Sequence, residues 1–247
     1  MKYLITLLLS FMVFKANSQD VTYYQHQPTG KISTQERYDA QITLNQEKLV
    51  TSGATDYYLK EIDLGTINRN DSIIKLYDLK FVRDLAKVFE RESKMPGTIV
   101  GKTFNYKNLI DVDKQPFDVE SLKGKPTMIN AWFVECPPCV EELPALNELM
   151  ERYKDKVNFV SLTFDTPEKV SKFLEKKDFN FKHIVSAGFV LQNLNIMGYP
   201  DNIFLDKNNM IVASFVKVMN YKKDDGTMVE NDVSRLEEYL DYLIAQQ

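Results

Sequence analysis

Cysteine is almost missing from this chain: its 247 residues hold two. Histidine is equally scarce, with only His26 and His183. Structural zinc takes four cysteine or histidine ligands, so one such site would need all of them, which argues against it. No block of basic residues is present either. The 31 Lys and Arg face 35 Asp and Glu, giving a formal net charge of −4, and this speaks against nucleic acid as a partner. Beyond the first residues there is no apolar run near the roughly 20 residues needed to span a bilayer. Internal repeats and low-complexity tracts are also missing. The remaining composition is that of a globular protein, and the length allows one or two domains with a real core.

What is present begins with an apolar run built like an export signal. Lys2 is a short positive start, Tyr3 to Phe14 is the apolar segment, and Ala16-Asn17-Ser18 supplies the small residues a signal peptidase reads. Cleavage is expected between Ser18 and Gln19. The run is too short for a membrane anchor, and no cysteine near the cleavage site suggests a lipoprotein. The mature protein is expected to be soluble and outside the cytoplasm, periplasmic in a Gram-negative host.

Both cysteines lie in one tetrapeptide, Cys136-Pro137-Pro138-Cys139. A structural disulfide gains most of its value by closing a long loop, and this pair closes almost none. Two thiols that would do little for the fold, in an oxidising compartment, are there to react, and two-electron exchange between dithiol and disulfide is the obvious chemistry.

The pattern along the chain sets these residues in context. Residues 19–95 form an N-terminal region, partly helical and of unknown role. Ser33-Thr34 followed by Gln35-Glu36 resembles a helix start, with Tyr38, Ile42 and Leu49 on one face. Asp78 to Glu92 is predicted as a helix because Phe81, Leu85, Val88 and Phe89 recur at helical spacing. Ser93-Lys94-Met95-Pro96-Gly97 reads as a linker. From residue 96 to 247 the pattern is regular. A short strand pair is predicted at 103–109 and 117–119. Met128 to Val134 reads as a buried central strand, followed by a helix from Cys136 or Pro137 to about Tyr153. Strands at 157–164 and 181–185 alternate with helices at 167–176 and 189–194. A hairpin of 202–205 and 211–218 precedes a last helix at 233–245. Such alternation implies an α/β sheet covered on both faces.

At a strand-to-helix junction Cys136 meets unpaired N–H groups and partial positive charge. A thiolate there is stabilised and its pKa falls. Cys136 is therefore expected as the exposed attacking sulfur, with Cys139 one turn in as the buried resolving sulfur. Pro137 suits the first helical position, where its missing N–H is no loss. Pro144, inside the predicted helix, removes a bond to the Val140 carbonyl and should kink it. Glu142 follows Cys139 by three residues and shares its helix face. It serves either as a proton acceptor with a pKa raised by burial or as a solvated acid near the helix start.

The run Asn130-Ala131-Trp132 through Cys136-Pro137-Pro138-Cys139-Val140-Glu141-Glu142-Leu143-Pro144, with the downstream Gly198-Tyr199-Pro200, resembles the thioredoxin superfamily. More narrowly it is similar to exported TlpA/ResA-like thiol-disulfide oxidoreductases with an AhpC/TSA-Redoxin-like domain. The resemblance covers 98 to the C-terminus. It implies a thioredoxin-like fold, with a central mixed β-sheet and helices on both faces, preceded here by the small N-terminal region. It also implies disulfide reductase activity, no cofactor beyond a redox-active Cys136–Cys139 disulfide, and a buried active-site glutamate at Glu142. A cis Tyr199–Pro200 bond would face the dithiol, with both residues contacting substrate, and Trp132, Pro137, Pro138 and Pro144 would shape the site. Exported client proteins with disulfides and a membrane electron donor are the implied partners.

Two departures bear on reactivity. The family commonly has an aromatic residue before the first cysteine, where this chain has Glu135, whose charge disfavours a thiolate. Pro138 offers no N–H to the Cys136 sulfur, leaving the Cys139 N–H as a donor, and no Lys, Arg or His lies inside the motif. A strong oxidant needs a very acidic thiolate, so these features predict a reducing dithiol. Two alternatives remain. A thiol peroxidase normally carries a Thr three residues before its cysteine, where this chain has Phe133. A Cu(I)-binding metallochaperone would use both thiolates with His183 as a further ligand, although His183 is more simply structural. Trp132 reads as core beneath the active-site helix, and Asp165 as the residue ahead of a helix capped by Thr166.

Overall fold

The computed structural model describes residues 21–69, 72–223 and 226–246. The predicted export signal and its cleavage bond lie outside the described residues. The chain divides into two compact units, residues 1–84 and 85–247.

The first unit contains β1 (Val21–His26), β2 (Lys31–Thr34), α1 (Gln35–Thr51), β3 (Tyr57–Asn68) and β4 (Ser72–Arg83), in a sheet of order β2-β1-β4-β3. β1 runs parallel to β4, and the other pairs are antiparallel. Its small core is aromatic. Tyr38 of α1 stacks on Tyr24 at 4.0 Å and meets Tyr77 edge-on at 4.8 Å. α1 starts where the sequence indicated, with Thr34 in the N-cap position, but the Thr34 side chain makes no capping bond. The predicted helix from Asp78 is corrected. Residues 78–83 continue β4, and the helix begins only at Leu85. The residues from Ile73 to Val82 pair along almost the whole length of β3. That ladder outweighs the helical spacing that begins at Phe81.

The second unit begins with α2 (Leu85–Ser93), β5 (Leu109–Asp111), β6 (Pro116–Phe117) and a 3-10 turn at Val119–Leu122. There follow β7 (Thr127–Ala131), α3 (Pro137–Glu141), α4 (Leu143–Tyr153), β8 (Asn158–Leu162), α5 (Pro167–Leu174), β9 (Lys182–Val185) and α6 (Gly188–Asn193). The chain closes with β10 (Asp201–Leu205), β11 (Ile211–Val216), β12 (Met219–Lys222), β13 (Met228–Asp232) and α7 (Ser234–Ala245). Seven strands form a mixed sheet of order β11-β10-β7-β8-β9-β5-β6. β7, β8 and β9 are parallel, while β10 runs antiparallel to β7. β12 and β13 form a separate two-stranded ribbon, which the sequence pattern did not reveal.

β7 is buried at every position, and its alternate residues feed two cores. Met128, and Trp132 just past the strand's end, enter one with Leu143, Leu146 and Leu149 of α4 and Leu236, Leu240 and Leu243 of α7. Ile129 and Ala131 enter the other with Val190 and Leu191 of α6. Period-2 side-chain direction puts helices on both faces. The β10–β11 hairpin turns at Asp206, whose carboxylate accepts the Asn208 and Met210 N–H groups, and Asn209 takes the left-handed φ of 65° there.

His183 is a core residue. Its Nε2 lies 2.9 Å from the Phe179 carbonyl, so Nε2 carries the proton and Nδ1 accepts from the Ser161 hydroxyl at 2.6 Å. Burial pushes its pKa down to about 4. Its neutral form therefore contributes stability that is full above the unfolded value of about 6.5 and is lost as pH falls toward about 4. Ser161→Ala leaves buried Nδ1 without its donor and should destabilise the protein by about 1–3 kcal/mol. Urea unfolding followed by the fluorescence of Trp132, the single tryptophan, measures this.

Candidate active site

β7 ends at Ala131 and the chain crosses Trp132 to Glu135 before α3 begins. Cys136 is the N-cap of α3, with Pro137 opening the helix. This fixes Cys136 past the C-terminal end of a central strand and turns its sulfur over the first helical turn. Cys136 and Cys139 are joined in a disulfide across a Cα–Cα distance of 5.2 Å. The Cys139 N–H donates to Cys136 Sγ at 3.2 Å, the one contact that two intervening prolines leave available. One expectation is corrected here. Cys136 is 2% exposed, not an open attacking sulfur. Its N-cap position and its bond to Cys139 hold the sulfur inward, in a core cluster against which Phe133, Val134 and Tyr199 also pack.

The active-site helix is interrupted at a single residue, Glu142, whose backbone stays right-handed helical, as expected of a proline kink. α3 ends at Glu141, Glu142 stands between the helices, and α4 restarts at Leu143 with Pro144 in its first turn. The missing Pro144 N–H releases the Val140 carbonyl, while the Glu142 N–H still donates to the Pro138 carbonyl and the Leu146 N–H to the Glu142 carbonyl. Glu142, at this interruption, faces the interior and is 3% exposed.

Glu142 Oε1 accepts from Asn130 Nδ2 at 2.9 Å, and the same amide nitrogen donates to Asn202 Oδ1 at 2.9 Å. Burial pushes the Glu142 pKa up to about 7, opposed by the Asn130 bond and Lys217 and reinforced by Asp201. Of the two readings of Glu142, the structure supports the buried acid.

The Tyr199–Pro200 peptide is cis, and both residues are half-buried. Tyr199 meets Phe133 at 5.3 Å and Phe164 at 5.9 Å, and those two rings stack at 5.4 Å. Phe164 is 43% exposed. An apolar surface therefore stands at the site although Glu135 occupies the usual aromatic position. Trp132 is fully buried, against Phe173 and Phe179 at 5.2 Å each.

Folding also supplies a cation that the motif lacks. Lys169 Nζ of α5 lies 3.3 Å from Glu135 Oε2 and 2.8 Å from Asp165 Oδ1. Asp165 in turn accepts the Val134 N–H at 2.7 Å, while Thr166 caps α5 by accepting from Lys169 N. The carboxylate before Cys136 is thus partly offset, and the loop carrying it is tied to α5. Asn130 lies in the run that carries the resemblance, without an assigned role, and Asp201, Asn202, Lys169 and Lys217 have none in the sequence. Asn130 within an apolar run and Asp201 opening a buried strand were the available signals. Among the described residues, no group of three His, Cys, Asp or Glu side chains is placed to hold a metal, and no helix is long and apolar enough to cross a membrane.

The family model described as Redoxin matches residues 91–233. The thioredoxin-like protein YneN of Bacillus subtilis is 30% identical over 109 residues, 42% of this chain and 64% of that relative. Thiol-disulfide oxidoreductase ResA of Bacillus cereus is 28% identical over 127 residues, 50% of this chain and 72% of that relative. The match thus spans slightly under two thirds of the first relative's length. Among solved structures, an uncharacterized conserved protein from Geobacillus kaustophilus has a TM-score of 0.52 at 20% identity, covering 60% of this chain and 83% of that one. This last likeness speaks to the thioredoxin-like fold alone.

Proposed function

The chain belongs to the Redoxin family, among the ResA-like thiol-disulfide oxidoreductases of the thioredoxin superfamily, and we propose that it reduces disulfides in exported client proteins. The observation that carries this reading is the Cys136–Cys139 disulfide at the start of α3 with Glu142 buried behind it. In the reduced protein, Cys136 is released from Cys139 and its side chain turns out of the N-cap rotamer. The Cys136 thiolate attacks one sulfur of a client disulfide. A mixed disulfide forms and the other client sulfur leaves as a thiolate, which takes up a proton. Cys139 then gives its proton to ionised Glu142 and attacks Cys136 Sγ. This closes the Cys136–Cys139 bond and releases the second client thiol. The client gains two electrons and the protein loses two. Tyr199 and Pro200 form the docking surface beside the sulfurs, with Phe133 and Phe164 extending it.

The oxidised pair must be recharged. On this reading a membrane electron donor does so, uncovering the buried disulfide as it binds. The site needs no cofactor beyond the two sulfurs. Export through the Met1–Ser18 segment places the reaction outside the cytoplasm. The copper reading weakens because both ring nitrogens of His183 are engaged, so the site has no third ligand there.

The test is reduction of insulin by the protein with dithiothreitol as the electron source. Accelerated precipitation supports the reading. A rate equal to dithiothreitol alone, together with rapid peroxide consumption or tight Cu(I) binding, overturns it. Titration against glutathione buffers should place the potential nearer the thioredoxin end of the scale than the strong-oxidant end.

A further inference from the structure

Asp201 is the other acid of this site, and its burial is unusual. It follows Pro200 directly and opens β10, with its side chain fully buried. Neither carboxylate oxygen has a hydrogen-bond partner of good geometry. The nearest cation is Lys217 Nζ at 3.6 Å, beyond hydrogen-bond length. The Asn202 and Phe215 N–H groups also face the carboxyl and favour its charged form. Lys217, just past the end of β11, is half exposed and donates to the Pro200 carbonyl. β10 pairs with β7 through Asp201↔Ala131 and Asn202↔Asn130. Asp201 is therefore anchored beside the strand whose Asn130 holds Glu142, and the charges of Asp201 and Lys217 both act on Glu142.

A carboxyl is costly to bury without partners. An amide or a threonine there would carry no charge and a smaller burial cost. The consequence that follows is electrostatic. Two buried acids close enough to interact titrate as a pair, and a cation at the rim sets where that pair loses its protons.

We propose that Asp201 is a positioning residue for the proton chemistry of Glu142, and that Lys217 is the surface cation that sets the pH at which Glu142 accepts the Cys139 proton. The proposal rests on the reductase reading and deepens it. The charge of ionised Asp201 holds the proton on Glu142, while Lys217 opposes it. The pair is Glu142, between α3 and α4, and Asp201, at the start of β10; the charged group acting on both is Lys217, from beyond β11.

The experiment is the pH profile of insulin reduction for the full chain. In wild type the rate should rise as Glu142 ionises. Asp201→Asn should move the midpoint of that rise down by about one pH unit, and Lys217→Met should move it up by a similar amount. Lys217→Arg should restore the wild-type midpoint. In a Glu142→Gln background the Asp201→Asn shift should vanish. If Asp201→Asn does not fold, the two Lys217 variants carry the test, because that side chain is at the surface. Midpoints that stay at the wild-type value, or a loss that is uniform across pH, overturn the proposal and leave the reductase reading standing. A wild-type protein that does not reduce insulin overturns the reading itself.

Discussion

Cys139→Ser should convert the protein from a catalyst into a trap. Without the resolving sulfur the mixed disulfide at Cys136 has no intramolecular exit, and steady turnover should fall by roughly 10³-fold or more, the scale seen when a member of a catalytic unit is removed. The variant should instead accumulate as a covalent adduct with its client in the native host. Mass spectrometry after non-reducing electrophoresis identifies the adduct. Cys136→Ser should lose turnover equally but form none. This asymmetry follows from position: Cys136 is the N-cap, held by the Cys139 N–H, whereas Cys139 is one turn inside the helix. Equal trapping by both variants would mean that the N-cap site confers no preference.

Glu142→Gln should separate function from stability. Glutamine keeps the bond from Asn130 but accepts no proton from Cys139, so reduction near pH 8 should slow by about 10²-fold, the low end of general acid–base catalysis. Stability should move the other way. The folded-state pKa of Glu142 is raised from 4.5 to about 7, so its contribution is fully present below the unfolded value and is lost as pH rises through about 7. The shift corresponds to about 3 kcal/mol at the upper end of that window. Asp201, raised from 3.8 to about 6, slopes the same way, and His183 slopes the opposite way at acid pH. Relative to wild type, Glu142→Gln should gain roughly 2–3 kcal/mol in urea unfolding between pH 5 and pH 8. A gain that does not depend on pH would place the effect elsewhere than in ionisation of Glu142.

Local chemistry was legible in the sequence and lateral chemistry was not. The cysteine spacing, Pro137 at the helix start and Pro144 as its breaker act within one turn, and the structure places them accordingly. The Asp206–Asn209 turn is equally local. The strand at Asp78–Arg83 reads locally as a helix, but its pairing with β3 outweighs the helical spacing. The polar network under the disulfide joins Asn130 to Asn202, 72 residues apart, through strand adjacency that no local pattern encodes. Lys169 beside Glu135 depends likewise on where α5 docks. The burial of Cys136 was missed for a related reason. A helix N-cap predicts favourable electrostatics for a sulfur, but not what the surrounding loops and aromatic rings leave open.

The central claim is that reduction frees the Cys136 sulfur to react while Cys139 stays back. Differential alkylation tests it most directly. The protein is reduced, treated briefly with limiting iodoacetamide at neutral pH, and digested for mass spectrometry. Label on Cys136 should exceed label on Cys139 by at least about tenfold, the thiolate being favoured at the N-cap. Label first on Cys139, or on neither sulfur until the protein is unfolded, would contradict the account.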